Sequence, residues 1–249
     1  MTEIDIAQFE VFATGLDHPE GLAFDAEGNL WAGGEAGQVY CIDSTGRSRI
    51  VAECGGFTLG MAFSGDGELF LCNSAKGVLC VKPSGKWDVF ADGMLCPNSP
   101  AFDRSGDLWV SDSGKWKKNN GRVLRFRSDG TQRVMAEGWG YVNGLCFDAS
   151  GTLYIAESDS RRILRLDGSV AAREVGRTPD GLAFAPDGSL FVACYASDDV
   201  WRIDPQGNMR RYSHDPDAIL LCRPTNLAIH NGYLYVTNLG RTTIVRCRL

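Results

Sequence analysis

The chain has 249 residues, of which 44% are hydrophobic and 22% charged, a balance typical of a globular protein and not of a disordered or fibrous one. Its net charge of −6 argues against a nucleic-acid or anionic-membrane binder, because both need a basic surface. The chain contains no long apolar stretch, and its acidic start lacks a signal peptide's basic and apolar regions. Nine cysteines, with no Cys-x-x-Cys motif, fit a reducing compartment. We therefore expect a cytoplasmic protein.

A six-residue segment recurs along the chain and sets its organisation. Glu20–Asp25, for example, returns as Asn143–Asp148 and as Asp180–Ala185. We call the first residue of each copy the anchor. The anchors are Glu20, Leu59, Asn98, Asn143, Asp180 and Asn226, the last in a copy that we interpret as compressed. Neighbouring anchors lie about 41 residues apart on average, and six such units account for nearly the whole chain.

Each repeat is predicted to contain four short strands. The first carries the anchor, and a tight turn such as Asp25–Gly28 follows it. The second pairs a leucine with an aromatic residue, as in Leu30–Trp31, and the third alternates in polarity, as in Val123–Phe126. A more polar fourth strand, such as Gln132–Met135, completes the unit. This pattern indicates antiparallel sheet, and four strands at this repeat length are typical of a β-propeller blade.

The two ends of the chain predict how the ring closes. Phe9–Ala13 precedes the first anchor and resembles a fourth strand such as Trp87–Ala91. The last repeat stops after its third strand, Ile244–Cys247. We therefore predict that the N-terminal strand completes the last blade and removes an open sheet edge. The expected fold is an all-β, six-bladed propeller that forms one domain over residues 1–249.

Polar anchors at equivalent positions should converge at one end of the propeller axis. Five of the six are polar, and Glu20 and Asp180 are carboxylates, which repel each other in a partly buried place unless something neutralises them. One divalent cation, with Asn98 and Asn143 adding amide oxygens, is the simplest explanation. An all-oxygen set favours Ca²⁺, then Mg²⁺ or Mn²⁺, with Zn²⁺ less suited. A polar channel filled with ordered water is the alternative.

The pattern Glu20-Gly21, Asn98, Asn143-Gly144 and Pro179-Asp180-Gly181 in six repeats resembles the senescence-marker-protein/gluconolactonase/luciferin-regenerating-enzyme family. Diisopropyl-fluorophosphatase and paraoxonase are similar in architecture. The resemblance implies a six-bladed propeller with one catalytic divalent metal, held by Glu20, Asn143 and Asp180. It implies that Asn98 binds metal or substrate. The activity that it implies is hydrolysis of lactones, with phosphotriester hydrolysis in some members.

The chain departs from this family at two positions that concern the substrate. In the sugar-lactone members an arginine lies two residues before the third anchor and an aspartate directly after it, and both help to bind the sugar. This chain has Cys96 and Ser99 there. An aldonolactone substrate is therefore in doubt, whereas the metal chemistry is unaffected.

Asp180 matches the residue assigned as general base or nucleophile in the family, so the resemblance implies that it is catalytic. A carboxylate that holds a cation is a weak base, because the cation lowers its pKa. Two roles for Asp180 therefore stay open. It deprotonates the attacking water, or it only holds the metal while a metal-bound water attacks.

Extra length falls in two segments on the anchor side, residues 114–120 and 213–223. Loops on a rigid scaffold commonly determine specificity. We expect Trp116 and either Leu220 or Leu221 to be apolar walls, and Lys115 or Arg223 to meet an anionic substrate group, although the lysine cluster is equally consistent with a solvated loop. The predicted substrate-binding residues are Asn98, Trp116, Cys96, Lys115, Arg223 and Tyr195.

Other polar residues lie near the predicted site without a clear ranking. His18 and His214 are either proton carriers or loop histidines satisfied by the backbone, and His230 is expected to be inert. Residues expected beside turns on the anchor side, as supporting or substrate contacts, are Asn73, Asp112, Glu157, Tyr195 and Asn238.

The sequence therefore predicts a metal-dependent hydrolase of a lactone or related cyclic ester that acts on a small molecule. A lyase, dehydratase or isomerase that uses the same metal is the second hypothesis, because fold does not determine function. A non-catalytic interaction propeller is the third, but it does not explain the convergence of Glu20 and Asp180. The oligomeric state is not specified by the sequence.

Overall fold

A computed structural model describes residues 3–249, which form six four-stranded antiparallel sheets. The strands are β1 (Glu10–Thr14), β2 (Leu22–Phe24), β3 (Leu30–Gly33), β4 (Gln38–Ile42), β5 (Ser48–Glu53), β6 (Thr58–Phe63), β7 (Leu69–Asn73), β8 (Gly77–Val81), β9 (Trp87–Ala91), β10 (Pro97–Phe102), β11 (Leu108–Asp112), β12 (Gly121–Phe126), β13 (Gln132–Trp139), β14 (Val142–Phe147), β15 (Leu153–Glu157), β16 (Arg162–Arg165), β17 (Val170–Arg173), β18 (Pro179–Phe184), β19 (Leu190–Cys194), β20 (Asp199–Ile203), β21 (Met209–His214), β22 (Pro224–His230), β23 (Tyr233–Asn238) and β24 (Thr243–Arg248). A short 3₁₀ helix, Ile6–Gln8, precedes β1. No helix in this part of the chain has the length and apolar character needed to cross a membrane.

Each sheet is one propeller blade, as predicted from the repeats. Strands β2–β5, β6–β9, β10–β13, β14–β17 and β18–β21 form the first five blades. The sixth combines β22, β23 and β24 with β1 as its outermost strand. Glu10 pairs with Arg246 and Thr14 with Thr243 across this seam, and the Arg246 Nε donates to Glu10 Oε1 at 2.7 Å. The prediction that the N-terminal strand completes the last blade is therefore confirmed.

The hydrophobic core lies between neighbouring blades. Second strands such as β7 and β11 are buried along their whole length, because apolar side chains on both faces pack against adjacent sheets. One core cluster joins Phe70 of the second blade to Leu108 and Leu124 of the third. Outer strands such as β13 are largely exposed. This packing of sheet on sheet makes a rigid ring whose inner strands surround the axis.

The inner strands touch each other around the whole ring at the residue that follows each anchor. A side chain at Gly60 would place its Cβ 2.7 Å from the Asn98 carbonyl oxygen, and one at Gly181 would lie 2.6 Å from the Asn226 Cα. Glycine is therefore required at these two positions by the approach of the next blade and not by an unusual φ. These contacts bring the backbones of neighbouring inner strands close together around the axis.

The pairing register corrects the sixth anchor. Pro224 pairs with the last residue of its blade's second strand, as Pro179 does in the fifth blade. Thr225 is therefore the equivalent of Asp180, and Asn226 takes the place that glycine has in other blades. The last copy is not compressed, and the prediction of Asn226 as an anchor was wrong by one residue.

Replacing Gly60 with alanine is expected to lower the free energy of unfolding by about 1–3 kcal/mol, because the new Cβ would overlap backbone atoms of the third blade that cannot move independently. Gly65 is the matched control, since it has open space around its Cβ position and no positive φ. Gly65→Ala is expected to be neutral or slightly stabilising. Urea unfolding measures both variants, and equal stability of the two would contradict the close contact of the inner strands.

Candidate functional site

The inner strands begin at one end of the propeller axis, which we call the axial mouth. Four predicted ligands lie there at the same register position. All four side chains are almost entirely buried, with exposures between 4% and 7%: Glu20, Asn98, Asn143 and Asp180. The two remaining anchors do not add a carboxylate, since Leu59 is apolar and the Thr225 hydroxyl donates to the backbone oxygen of Glu20 at 3.0 Å. The axial mouth is therefore a small set of buried oxygen donors.

The two buried carboxylates are electrostatically uncompensated. Burial raises the pKa of Glu20 well above its usual value, and the charge of Asp180 raises it further. Burial likewise raises the pKa of Asp180, which is opposed by a hydrogen bond from Asn143. The Glu20 Oε2 atom is buried and has no hydrogen-bond partner among the described residues. A buried carboxylate oxygen without a donor needs a cation or a proton.

Asn143 connects the carboxylates to the scaffold. Its Nδ2 donates to the Ser158 Oγ at 3.3 Å and its amide also donates to Asp180. The Ser158 Oγ in turn donates to the Pro179 carbonyl oxygen of the next blade at 2.6 Å. Because the amide donors are used in this way, the Asn143 Oδ1 remains an acceptor and a ligand for a cation.

This donor set fits a hard divalent cation. Glu20 and Asp180 supply two negative charges, and Asn143 supplies a neutral oxygen, with Asn98 at the equivalent position of the third blade. The set contains neither sulfur nor nitrogen, which favours Ca²⁺ over Zn²⁺. A cation here would satisfy the Glu20 oxygen and remove the repulsion within the pair. The fit supports the predicted metal centre.

The six residues that lie two positions before the anchors in sequence surround the axial mouth, because the inner strands share one register. They are His18, Phe57, Cys96, Tyr141, Thr178 and Arg223. Three of them hold a left-handed backbone, with φ of 44° at His18, 59° at Thr178 and 51° at Arg223. This conformation is unfavourable for a β-branched residue such as Thr178. Such strain is concentrated at functional sites, where the surrounding structure enforces it.

The residues that end the second strands support these loops from behind. Asp112 accepts from the Cys96 backbone at 2.7 Å and from the Arg122 Nε at 2.8 Å. Glu157 accepts from the Gly140 backbone amide at 2.7 Å. Asn73 and Asn238 donate to backbone carbonyl oxygens in the loops that precede the inner strands of their own blades. All four side chains are essentially inaccessible to solvent. They position the loops, so of the two roles predicted for them the structure favours support over substrate contact.

Tyr141 is a residue at the mouth that the sequence analysis missed. Its Oη lies 3.4 Å from the Cys96 Sγ, and its ring centroid is 5.3 Å from that of Trp116. Burial, the hydrogen bond with Cys96 and the nearby Asp180 charge all raise its pKa, so the phenol stays protonated. Tyr141 lies two residues before Asn143, just as Cys96 lies two residues before Asn98. This repeated spacing is the signal in the sequence that identifies it.

The other predicted substrate-binding residues lie on loops that connect the strands. Trp116 and Lys115 are exposed on the loop between β11 and β12, and Lys115 forms no ion pair within residues 3–249. Arg223 lies over the ring of Tyr195, with its guanidinium carbon 5.8 Å from the ring centroid. Of the two leucines predicted as alternative apolar walls, Leu221 is fully buried in the core and is excluded, whereas Leu220 is partly buried against the same core cluster.

Of the histidines, two have local partners that account for them. His18 lies 3.0 Å from the Asp17 carboxylate, and together with Glu35 these side chains are close enough to share an exposed metal ion. His230 stacks on Phe24 with the ring centroids 4.2 Å apart. His214 is the last residue of β21 and is half-buried. The nine cysteines are free thiols.

The fold and the mouth define a class of protein: six-bladed propellers with a buried oxygen-donor site on the axis. A family model described as the SMP-30/gluconolactonase/LRE-like region matches residues 35–239, and the chain belongs to this family. Family membership supports a lactonase-like hydrolase at the level of the family. A search of curated protein sequences finds no match.

Solved structures share the whole architecture. Regucalcin from Agrobacterium tumefaciens, described as a calcium-binding protein, is 18% identical, with 99% of this chain and 95% of that chain covered and a TM-score of 0.81. A gluconolactonase from Xanthomonas campestris is 19% identical, with 97% and 89% covered and a TM-score of 0.80. Virginiamycin B lyase from Staphylococcus aureus is 18% identical, with 96% and 84% covered and a TM-score of 0.68. At these identities the likeness shows the fold.

Proposed function

We propose that the protein is a divalent-metal-dependent hydrolase that opens a lactone or related cyclic ester to a hydroxy acid. The observation that carries this proposal is the buried pair of Glu20 and Asp180. The Glu20 Oε2 has no hydrogen-bond partner within residues 3–249, and the Asp180 charge raises the pKa of Glu20. Family membership supports the same reaction class. The substrate is a small molecule, and the free thiols agree with a reducing, cytoplasmic location.

Glu20, Asn143 and Asp180 would hold the cation, with Asn98 as a further ligand or substrate contact. When bound, Ca²⁺ or another hard cation supplies charge that polarises the ester carbonyl and stabilises the negative oxygen of the transition state. Two roles for Asp180 are compatible with this site: it accepts a proton from the attacking water, or it only holds the cation. Burial raises the pKa of its carboxyl, and a bound cation would oppose that rise. The Asn143 amide holds this carboxylate in place.

Metal content and hydrolysis together test the proposal. We expect one equivalent of divalent metal in the purified protein, a melting temperature that falls on chelation, and recovery on adding Ca²⁺. At a free metal concentration of 100 times the Kd, binding to the native state contributes about 2.7 kcal/mol of stability. Lactone opening, followed as acid release, should depend on the same metal. No metal and no thermal response would overturn the metal site.

The same assay separates the competing reactions. Hydrolysis consumes water and yields one ring-opened acid, whereas a lyase yields an unsaturated product whose absorbance can be followed. Metal binding with formation of the unsaturated product instead of acid release would replace the hydrolase hypothesis by the lyase hypothesis. Metal binding without turnover of either kind would leave a binding propeller.

A further inference from the structure

One side of the axial mouth consists of three side chains, which we call the aromatic wall: Trp116, Tyr141 and Cys96. The Trp116 and Tyr141 rings are in contact, and the Tyr141 hydroxyl lies against the Cys96 thiol. Tyr141 and Cys96 lie two residues before the anchors Asn143 and Asn98. The wall therefore begins beside the candidate metal ligands and extends outward to the exposed indole.

The wall is held rigidly by the backbone. The carbonyl oxygens of Cys96 and Tyr141 accept from the Ser113 and Ser158 amides, each at 2.8 Å. The loop that carries Trp116 is bound at two points. The Lys115 amide donates to the Asn120 Oδ1 at 2.8 Å, and the Lys117 amide donates to the Asp159 Oδ2 at 3.2 Å. A preformed surface binds ligand without the entropic cost of ordering a loop.

The chemistry of the wall is apolar with few polar groups. It carries one hydroxyl, which already contacts the Cys96 thiol, and no charge. A polyhydroxylated sugar ring needs several donors and acceptors, and buried hydroxyls left without partners lose binding energy. Ser99 adds only one hydroxyl, which is buried and accepts from the Leu145 amide at 3.3 Å, so it does not supply several donors and acceptors. The indole of Trp116, in contrast, is 46% exposed and offers apolar surface next to the mouth.

We propose that the aromatic wall binds an alkyl or aryl substituent of the substrate, so that the protein prefers lactones with an apolar substituent to sugar lactones. The reaction in this inference rests on the proposed function, whereas the substrate preference rests on the contacts of the aromatic wall. Trp116 and Tyr141 are the specificity-determining residues. Binding depends on their rings, whereas the Tyr141 hydroxyl and the Cys96 thiol contact each other and are the polar groups of the wall.

The experiment compares three lactones with wild type and Trp116→Ala: dihydrocoumarin, which carries an aryl ring, unsubstituted δ-valerolactone, and D-glucono-1,5-lactone. Wild type is expected to favour dihydrocoumarin. Trp116→Ala is expected to raise its KM about 10-fold with little change in kcat, while δ-valerolactone kinetics stay unchanged. Val134→Ala, an exposed change on the outer strand of the same blade, is the control with unaltered kinetics. Preference for gluconolactone, or equal effects on dihydrocoumarin and δ-valerolactone, would overturn the inference.

A binding measurement keeps this result independent of turnover. Saturation-transfer NMR with 3-(2-hydroxyphenyl)propanoate, the ring-opened product, is expected to show transfer to the aryl protons in wild type and loss in Trp116→Ala. Tyr141→Phe should retain transfer and Tyr141→Ala should lose it. Transfer with this pattern but no hydrolysis of any lactone means that the proposed function fails and the wall stands. Hydrolysis without transfer means that the wall inference fails alone.

Discussion

Asp180→Asn is expected to lower the rate of lactone hydrolysis by about 10³-fold or more, because an amide cannot accept a proton from water. In wild type the Asn143 amide donates to the Asp180 carboxylate. The substitution replaces one of these carboxylate oxygens by an NH₂ group, which donates instead of accepting. The change removes one charge from a crowded buried pair, so the fold should survive it. The rate is measured as acid release at saturating metal, and circular dichroism confirms the fold.

Asp187→Asn is the matched control for this prediction. Asp187 belongs to the same blade but lies in the turn that follows β18, where its exposed carboxylate pairs with the largely buried Arg202. We expect the activity of this variant to remain within about twofold of wild type, since the turn lies at the end of β18 away from the axial mouth. Full activity of Asp180→Asn with normal metal content would remove Asp180 from the mechanism. Activity recovered only at high metal concentration would limit its role to holding the cation.

Glu20→Gln is expected to have opposite effects on the metal-free and the metal-loaded protein. Without metal, neutralising one member of a buried carboxylate pair should raise the free energy of unfolding at neutral pH by roughly 1–3 kcal/mol. With Ca²⁺ present, the variant should lose most of the stabilisation that wild type gains. Thermal unfolding with chelator and with added Ca²⁺ measures both effects. A variant less stable than wild type in chelator, with an unchanged response to Ca²⁺, would place the cation elsewhere.

The pH dependence of the metal-free protein has a definite sign. The folded-state pKa values of Glu20 and Asp180 are raised above their unfolded values, so the native state holds protons that the unfolded chain releases. The resulting stability is complete below the unfolded pKa, about 4, and is lost as the pH rises through the raised folded values. Wild type without metal should therefore become less stable as the pH rises from about 4 towards neutrality. Glu20→Gln should reduce this slope.

Glu157→Gln is the control at a buried carboxylate whose net pKa shift has the opposite sign. Glu157 is also buried, but hydrogen bonds from Ser160, Gly140 and Arg162 outweigh burial and lower its pKa. Removing its charge leaves Arg162 without its partner and weakens the support of the Gly140 segment. We expect a loss of stability both with and without metal, which distinguishes a compensated carboxylate from the uncompensated Glu20.

The repeat was enough to predict the fold, because each of its elements has a local cause. Anchor-bearing first strands, tight turns and leucine–aromatic second strands recur along the chain, so the blade count and the strand order followed from the sequence. The closing strand followed as well, since Phe9–Ala13 has the pattern of a fourth strand. The error at Asn226 arose because polarity was used to find the anchor, whereas the pairing of Pro224 determines the register.

The candidate site was predicted only in its innermost part. Glu20 and Asp180 were identifiable because carboxylates at repeated inner positions conflict with packing. Tyr141 was missed because a partly buried tyrosine is ordinary in a propeller, and because its contacts with Trp116 and Cys96 run from the fourth blade to the third. Leu221 was misplaced because a long loop predicts exposure, although this residue turns back into the core. Contacts between blades are set by the curvature of the ring, which no single repeat encodes.

The seam of the ring gives the metal centre a second consequence. The segment between β1 and β2 runs from the outer edge of the sixth blade to the inner strand of the first, and Glu20 lies on it. The opposing carboxylate, Asp180, belongs to the fifth blade. A cation held by both would act as a clasp across the sixth blade, the one assembled from distant parts of the sequence. Ring closure and metal affinity would then be thermodynamically linked, so that weakening the β1–β24 seam lowers the affinity for metal although no ligand is touched.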